Sequence, residues 1–111
     1  MKVLLAGTGG VGEAIAVCAR KQDPKAEWLE LMVLADINLE RPRELSARLK
    51  DRERFPAEKL DAGSSSQVLE LARKYRVDLI MNACSPQFNM PIFDAAFQAN
   101  CTYLDMAMSL S

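Results

Sequence analysis

At 111 residues, half of them hydrophobic and about a quarter charged, the chain has the size of one domain, and it is too apolar for a disordered segment. Fourteen basic against fifteen acidic residues give a formal charge of −1 with no basic block, which argues against nucleic acid or an anionic membrane as partner. Three scattered cysteines (Cys18, Cys84, Cys101) and no histidine argue against a disulfide framework and a Cys/His metal centre, and they suggest a reducing, cytoplasmic compartment.

Val3-Leu4-Leu5-Ala6 reads as a short buried strand. Its apolar run is too brief for a signal peptide, and no stretch of the chain reaches transmembrane length. The strand feeds Gly7-Thr8-Gly9-Gly10-Val11-Gly12, a G-x-G-x-x-G turn that opens a helix. In such a turn Gly7 allows the bend off the strand, Gly9 lets the backbone approach a pyrophosphate, and Gly12 lets the helix lie close on the strand. The helix's first N–H groups, which have no intrahelical partner, then face the anion. The same glycines would serve any tight strand–helix turn, so the context has to decide between the two readings.

Val11, Ala14, Ile15, Cys18 and Ala19 recur at helical spacing and are expected to form the buried face of the first helix, with Cys18 a small core residue. The helix should stop before Pro24. Residues 28–35 read as a second strand, nearly continuous in apolar residues and ending in Asp36, twenty-four positions past Gly12. A carboxylate there accepts the ribose hydroxyls of an adenosine half and repels a 2′-phosphate; capping the next helix is the plainer alternative. Spacing and strand-end position favour the ribose role. Asn38 is a second candidate cap, with Pro42 tolerated in the first turn. Arg41 and Arg43 stand where a 2′-phosphate could be accommodated, but on a strongly charged helix face they read as solvated, which leaves NAD favoured over NADP.

A third short strand is expected near 57–60, ending at Asp61, so that Asp61 and Ala62 could meet an adenine; a plain turn aspartate accounts for Asp61 equally well. Ser64 and Gln67 form a capping box before the stripe Val68, Leu71, Ala72, Tyr75. Residues 77–83 are the fourth strand, whose exit through Ala83, Cys84, Ser85 and Pro86 would pass the pyrophosphate and the nicotinamide ribose. Neither a base nor a cation stands beside Cys84, so no nucleophile is assigned to it. Asn89 is expected to cap a fourth helix with Pro91 in its first turn and Ile92, Ala95, Ala96 and Ala99 on its packed face, and Asn100 to end it. Residues 101–104 form a fifth strand closing on Asp105, read as an end-of-strand cap or a crevice residue, and Met106, Ala107 and Met108 suggest further packing.

Five strands alternating with four helices imply a Rossmann-type doubly wound α/β fold, a parallel sheet of order 3-2-1-4-5 with helices on both faces. A complete dinucleotide fold continues into a sixth strand, so residues 1–111 are expected to be the NAD(P)-binding domain of a longer two-domain enzyme.

Asn82-Ala83-Cys84-Ser85-Pro86-Gln87-Phe88-Asn89-Met90-Pro91-Ile92, followed by Tyr103-Leu104-Asp105-Met106-Ala107, resembles the saccharopine dehydrogenase family, which includes lysine and carboxynorspermidine dehydrogenases. The resemblance spans essentially the whole chain, through the glycine turn, the acid after the second strand, an N-A-x-x-P exit and a Y-L-D strand. It implies an oxidoreductase acting on a C–N bond of an amino acid or amino-acid adduct by hydride transfer to or from a nicotinamide. By the same resemblance Gly7, Gly9, Gly10, Val11 and Gly12 would hold the pyrophosphate, Asp36 the ribose, Asp61 and Ala62 the adenine side, and Ala83, Cys84 and Ser85 the route to the nicotinamide. The family's substrate and acid/base residues lie largely in a later domain, so the resemblance carries over no catalytic residue. The alternative is a non-catalytic dinucleotide-sensing regulatory module, which usually carries Gly-Asp where this chain has Leu60-Asp61-Ala62-Gly63. A short-chain dehydrogenase is disfavoured because neither Tyr75 nor Tyr103 has a lysine four residues on. Homo-oligomerisation stays open.

Overall fold

The computed structural model describes residues 1–105; the packing expected of Met106, Ala107 and Met108 lies outside them. Strands β1 (Lys2–Ala6), β2 (Leu31–Asp36), β3 (Ala57–Lys59), β4 (Leu79–Asn82) and β5 (Thr102–Asp105) alternate with helices α1 (Gly10–Gln22), α2 (Glu40–Leu49), α3 (Ser65–Tyr75) and α4 (Asn89–Ala99). All strand pairs are parallel, in the order β3-β2-β1-β4-β5.

Side chains alternate across β1 and β2 and divide the core in two. Leu4, Ala6, Val33 and Ala35 join Ile80 under α3 (Val68, Leu71, Ala72) and α4 (Ile92, Ala95, Ala96). Val3, Leu5, Met32 and Leu34 pack under α1 (Ala16, Ala19) and α2 (Leu45, Leu49). Both faces are therefore covered, and the apolar runs of β1 and β2 follow from that. No helix among the described residues is long and apolar enough to cross a membrane.

The structure corrects several expectations. The buried face of α1 is Gly12, Ala16 and Ala19. Val11 is 51% exposed and Ala14 and Cys18 are also exposed. Small residues set the helix down on the sheet, which turns the larger ones sideways to border an apolar groove with Trp28, Leu79 and Met81. Second, β2 begins at Leu31 and not at Trp28, because Asp23 holds the preceding loop by accepting the N–H groups of Glu27 (2.8 Å), Trp28 (3.0 Å) and Leu29 (2.8 Å). Asp23 is buried and also meets Arg54 Nη2 at 3.3 Å; burial pushes its carboxyl up, but the three N–H groups and the guanidinium outweigh burial and hold it below the ordinary carboxylate value. Third, Asn89 is the first residue of α4 and does not cap it; a 3-10 turn at Pro86–Phe88 precedes the helix and Phe88 takes the cap position.

Other boundaries follow local chemistry. Leu39, not Asn38, takes the cap position of α2, although Asn38 Oδ1 accepts the Glu40 N–H at 3.2 Å; at α3 Ser64 caps as expected, its Oγ accepting the Gln67 N–H at 3.3 Å. The Gln67 side chain does not return the bond to Ser64; its Oε1 accepts the Asp61 N–H at 3.1 Å and so ties the β3 exit to α3. Helices α2, α3 and α4 end at Lys50, Arg76 and Asn100, all in the left-handed conformation.

Candidate functional site

The order of the sheet reverses between β1 and β4, and crevices for ligands open at the carboxyl ends of strands at such a point. The glycine turn lies here. Gly7 has φ +103°, a conformation that side chains rarely adopt, and a Cβ on it would stand 3.0 Å from Ala83 C and O and from Cys84 Sγ. A Cβ on Gly12 would run into the Gly7 carbonyl, 2.8 Å from its carbon, and come within 3.6 Å of Ala83 Cβ. The turn, the start of α1 and the exit of β4 therefore meet backbone to backbone. Gly9 caps α1 without a side-chain bond, so the first-turn N–H donors keep their direction toward the crevice.

Asp36 closes the other side. Its Oδ2 accepts the Thr8 N–H at 2.9 Å and the Thr8 hydroxyl at 3.0 Å, and Oδ1 accepts the Asn38 N–H at 3.1 Å. Partial burial pushes this carboxyl up, yet those hydrogen bonds and the nearby Arg41 charge outweigh burial, so it stays ionised well into acid. Oδ2 is fully used, whereas Oδ1 accepts one bond and keeps a lone pair for a further donor.

Gly7, Asp36, Asp61, Ala62 and Cys84 line one cavity of about 140 Å³ together with Ile37, Leu60 and Phe88. Five of the residues singled out from the sequence thus share one wall. Gly9 and Gly10 line a neighbouring cleft of about 290 Å³ with Thr8, Glu13, Arg41, Glu44 and Arg48. Thr8 borders the second cleft and Asp36 the first, so their hydrogen bonds join the two. Gly12 and Ala83 act beneath the site, through the close packing already described. Val11 and Ser85 line neither cleft. Asp61 faces the cavity, and its Oδ1 accepts the Gly63 N–H at 2.9 Å as a turn aspartate does.

Among the cations, Arg48 is paired with Glu13 at 2.6 Å and Arg43 with Glu40 at 3.4 Å, the solvated pattern read from the sequence. Arg41 differs: its Nη1 lies 3.8 Å from the place a Gly9 Cβ would take, over the turn itself. Cys84 donates its thiol to Ala6 O at 3.3 Å, and burial, with the Asp36 charge adding to it, pushes the thiol up to about 11. A thiol so protonated is no nucleophile at neutral pH.

Thr8, Ile37 and Phe88 were given no role from the sequence, and Asn82 entered only as the first residue of the N-A-x-x-P stretch. Thr8 is an x position of the glycine turn, and only its contact with Asp36 marks it. Ile37 and Phe88 reach the cavity from loops. Asn82 did carry a signal, a polar residue ending an apolar strand.

The model of the saccharopine dehydrogenase NADP binding domain matches residues 3–111. The chain belongs to this family. Among relatives, it is 25% identical over 117 aligned residues to carboxynorspermidine synthase of Vibrio cholerae, covering 99% of this chain and 28% of that protein. It is 28% identical over 107 residues to carboxyaminopropylagmatine dehydrogenase of Synechocystis, covering 96% and 25%. The chain therefore spans about a quarter of the length of these curated relatives. Saccharopine dehydrogenase (L-Glu forming) of Saccharomyces cerevisiae superposes with a TM-score of 0.76 at 15% identity, over 99% of this chain and 22% of that one. A short-chain dehydrogenase/reductase of Veillonella parvula in complex with NADP follows at 0.69 and 12% identity, over 94% and 46%. At such identities the superpositions speak for the fold, and they agree with the strand order of the saccharopine dehydrogenase-like domain.

Proposed function

We propose that this saccharopine dehydrogenase-like domain holds NAD for an oxidoreductase that makes or breaks a C–N bond of an amino acid or amino-acid adduct. The observation that carries the reading is the single cavity in which Gly7, Asp36, Asp61, Ala62 and Cys84 converge at the β1/β4 reversal. Gly9 and Gly10 with the start of α1 would receive the pyrophosphate, and Asp36 Oδ1 the adenosine ribose. Ala62, Ile37 and Phe88 would border the adenine, and the Ala83–Ser85 stretch would lead toward the nicotinamide.

A nicotinamide, when bound, supplies the hydride chemistry; the chain's own part is to orient it and to fix its adenosine end. The acid/base would come from a second domain. The relatives' names support an adduct of an amine and a carboxylic compound as the substrate class, and their lengths support the two-domain organisation. The free cysteines are in keeping with a reducing cytoplasm.

The ionised Asp36 favours NAD, since a 2′-phosphate would meet a like charge. Arg41 over Gly9 and the NADP in the family's description favour a second reading, in which this arginine receives the 2′-phosphate. Titration of the chain with NADH and NADPH, followed by nicotinamide fluorescence, separates them. Tighter NADH is the expected result; tighter NADPH overturns the role given to Asp36, and binding of neither overturns the site.

A further inference from the structure

Asn82 is the polar anomaly of the sheet. It is 0% exposed and is the last residue of β4, where the strand alternates buried and half-buried positions and Ile80 fills the equivalent inward position. An amide sealed from water costs free energy unless its donors and acceptor are matched. Here they are matched by three elements. Oδ1 accepts the Cys84 N–H at 2.9 Å, while Nδ2 donates to Asn89 Oδ1 at 2.6 Å and to the Tyr103 hydroxyl at 3.4 Å. The β4 exit, the first residue of α4 and β5 therefore all meet on one side chain.

The exit that Asn82 holds is the segment that presses on the glycine turn. Ala83 N donates to Ala6 O at 2.8 Å, and Ala83 C and O with Cys84 Sγ stand at the contact limit of Gly7. Any change in the path of residues 83–85 changes the width of the crevice. An apolar residue at position 82 would satisfy the core equally well, but it would remove the exit's side-chain tie to α4 and β5.

We infer that Asn82 is a positioning residue for the cofactor: through Asn89 it fixes the β4 exit against the glycine turn and so sets the cavity that Cys84 shares with Asp36 and Ala62. The inference rests on the dinucleotide reading proposed above. Cys84, whose N–H Asn82 accepts, lines the same cavity as Asp36 and Ala62, so AMP should depend on Asn82 as NADH does.

The test uses the chain with Asn89→Ala, Asn89→Asp and Asn82→Leu, titrated with NADH and AMP beside a thermal melt. Asn89→Ala removes the outer partner and is expected to weaken NADH and AMP alike, each about tenfold, the scale of one lost hydrogen bond. Asn89→Asp keeps an acceptor for Asn82 Nδ2 and should restore NADH binding. Asn82→Leu should reproduce the loss for NADH; if it does not fold, the two Asn89 variants decide. Unchanged NADH binding in Asn89→Ala, a loss confined to one of the two ligands, or no recovery in Asn89→Asp would each overturn the inference. A wild-type chain that binds neither ligand refutes the dinucleotide site itself, which is a different result.

Discussion

Gly12→Ala adds one methyl group where α1 crosses the glycine turn. Its carbon would overlap the Gly7 carbonyl oxygen and lie 2.8 Å from Gly7 C, whereas carbons in contact stand about 3.5–4.0 Å apart, so helix and turn must part by more than about 1 Å. Neither side yields easily: Gly7 N donates to Ala35 O at 2.8 Å, and α1 is seated through Ala16 and Ala19. Overpacking of this kind costs about 1–3 kcal/mol, and the upper end applies because the obstacle is backbone. Better helix propensity returns at most about 1 kcal/mol, leaving a net loss of about 2 kcal/mol, or a Tm lower by about 10 °C. Gly10→Ala is the internal control, because a Cβ there meets nothing within 4 Å and only the propensity gain remains. Urea denaturation of the two variants measures the difference directly. If Gly12→Ala proves as stable as Gly10→Ala, the close approach of helix to turn is wrong.

Three further outcomes can be checked on the same protein. Asp36→Ala should weaken NADH by about 1–3 kcal/mol and leave NADPH less affected, since it removes a ribose acceptor and a charge opposed to a 2′-phosphate; unchanged NADH affinity in a titration would sink the ribose role. The depressed carboxyl of Asp23 stabilises the fold above its ordinary value of 3.8, and that contribution is lost as pH falls toward the lower folded value. The urea midpoint should therefore drop below about pH 4, and in Asp23→Asn it should start lower at neutral pH and vary less with acid. With a thiol near 11, only about a thousandth of Cys84 is thiolate at pH 8, so brief iodoacetamide treatment should label the exposed Cys18 and spare Cys84, as read by peptide mass spectrometry.

The order of elements was legible because each signal was local and unopposed. The glycine turn, the residue before Pro24, the Ser64 cap and the apolar runs of β1, β2 and β4 all asked for what the chain does. The inward face of α1 was not legible, because hydrophobic spacing counts valine and cysteine above glycine and alanine. Close seating on a sheet selects the small residues, and Gly12, Ala16 and Ala19 won. The start of β2 was lost for a related reason: Trp28 and Leu29 look like strand, but the Asp23 carboxylate takes their N–H groups before a neighbouring strand can. Within the site, Asp36 and the glycines follow from a spacing rule. Thr8, Phe88 and Asn82 depend on which side chains meet across distant strand exits, and no periodicity in one dimension reports that.

The helix exits bear on how this domain can be made sturdier. Lys50 and Arg76 sit at φ 57° and 53°, where a side chain with a Cβ is strained by about 1–2 kcal/mol, while Asn100 at 58° tolerates the position better. Neither exposed residue lines the cofactor clefts. Glycine at 50 and 76 would release strain at two sites remote from the chemistry, giving an engineer a margin of stability to spend on variants of the glycine turn and of Asp36 that the native chain would tolerate poorly.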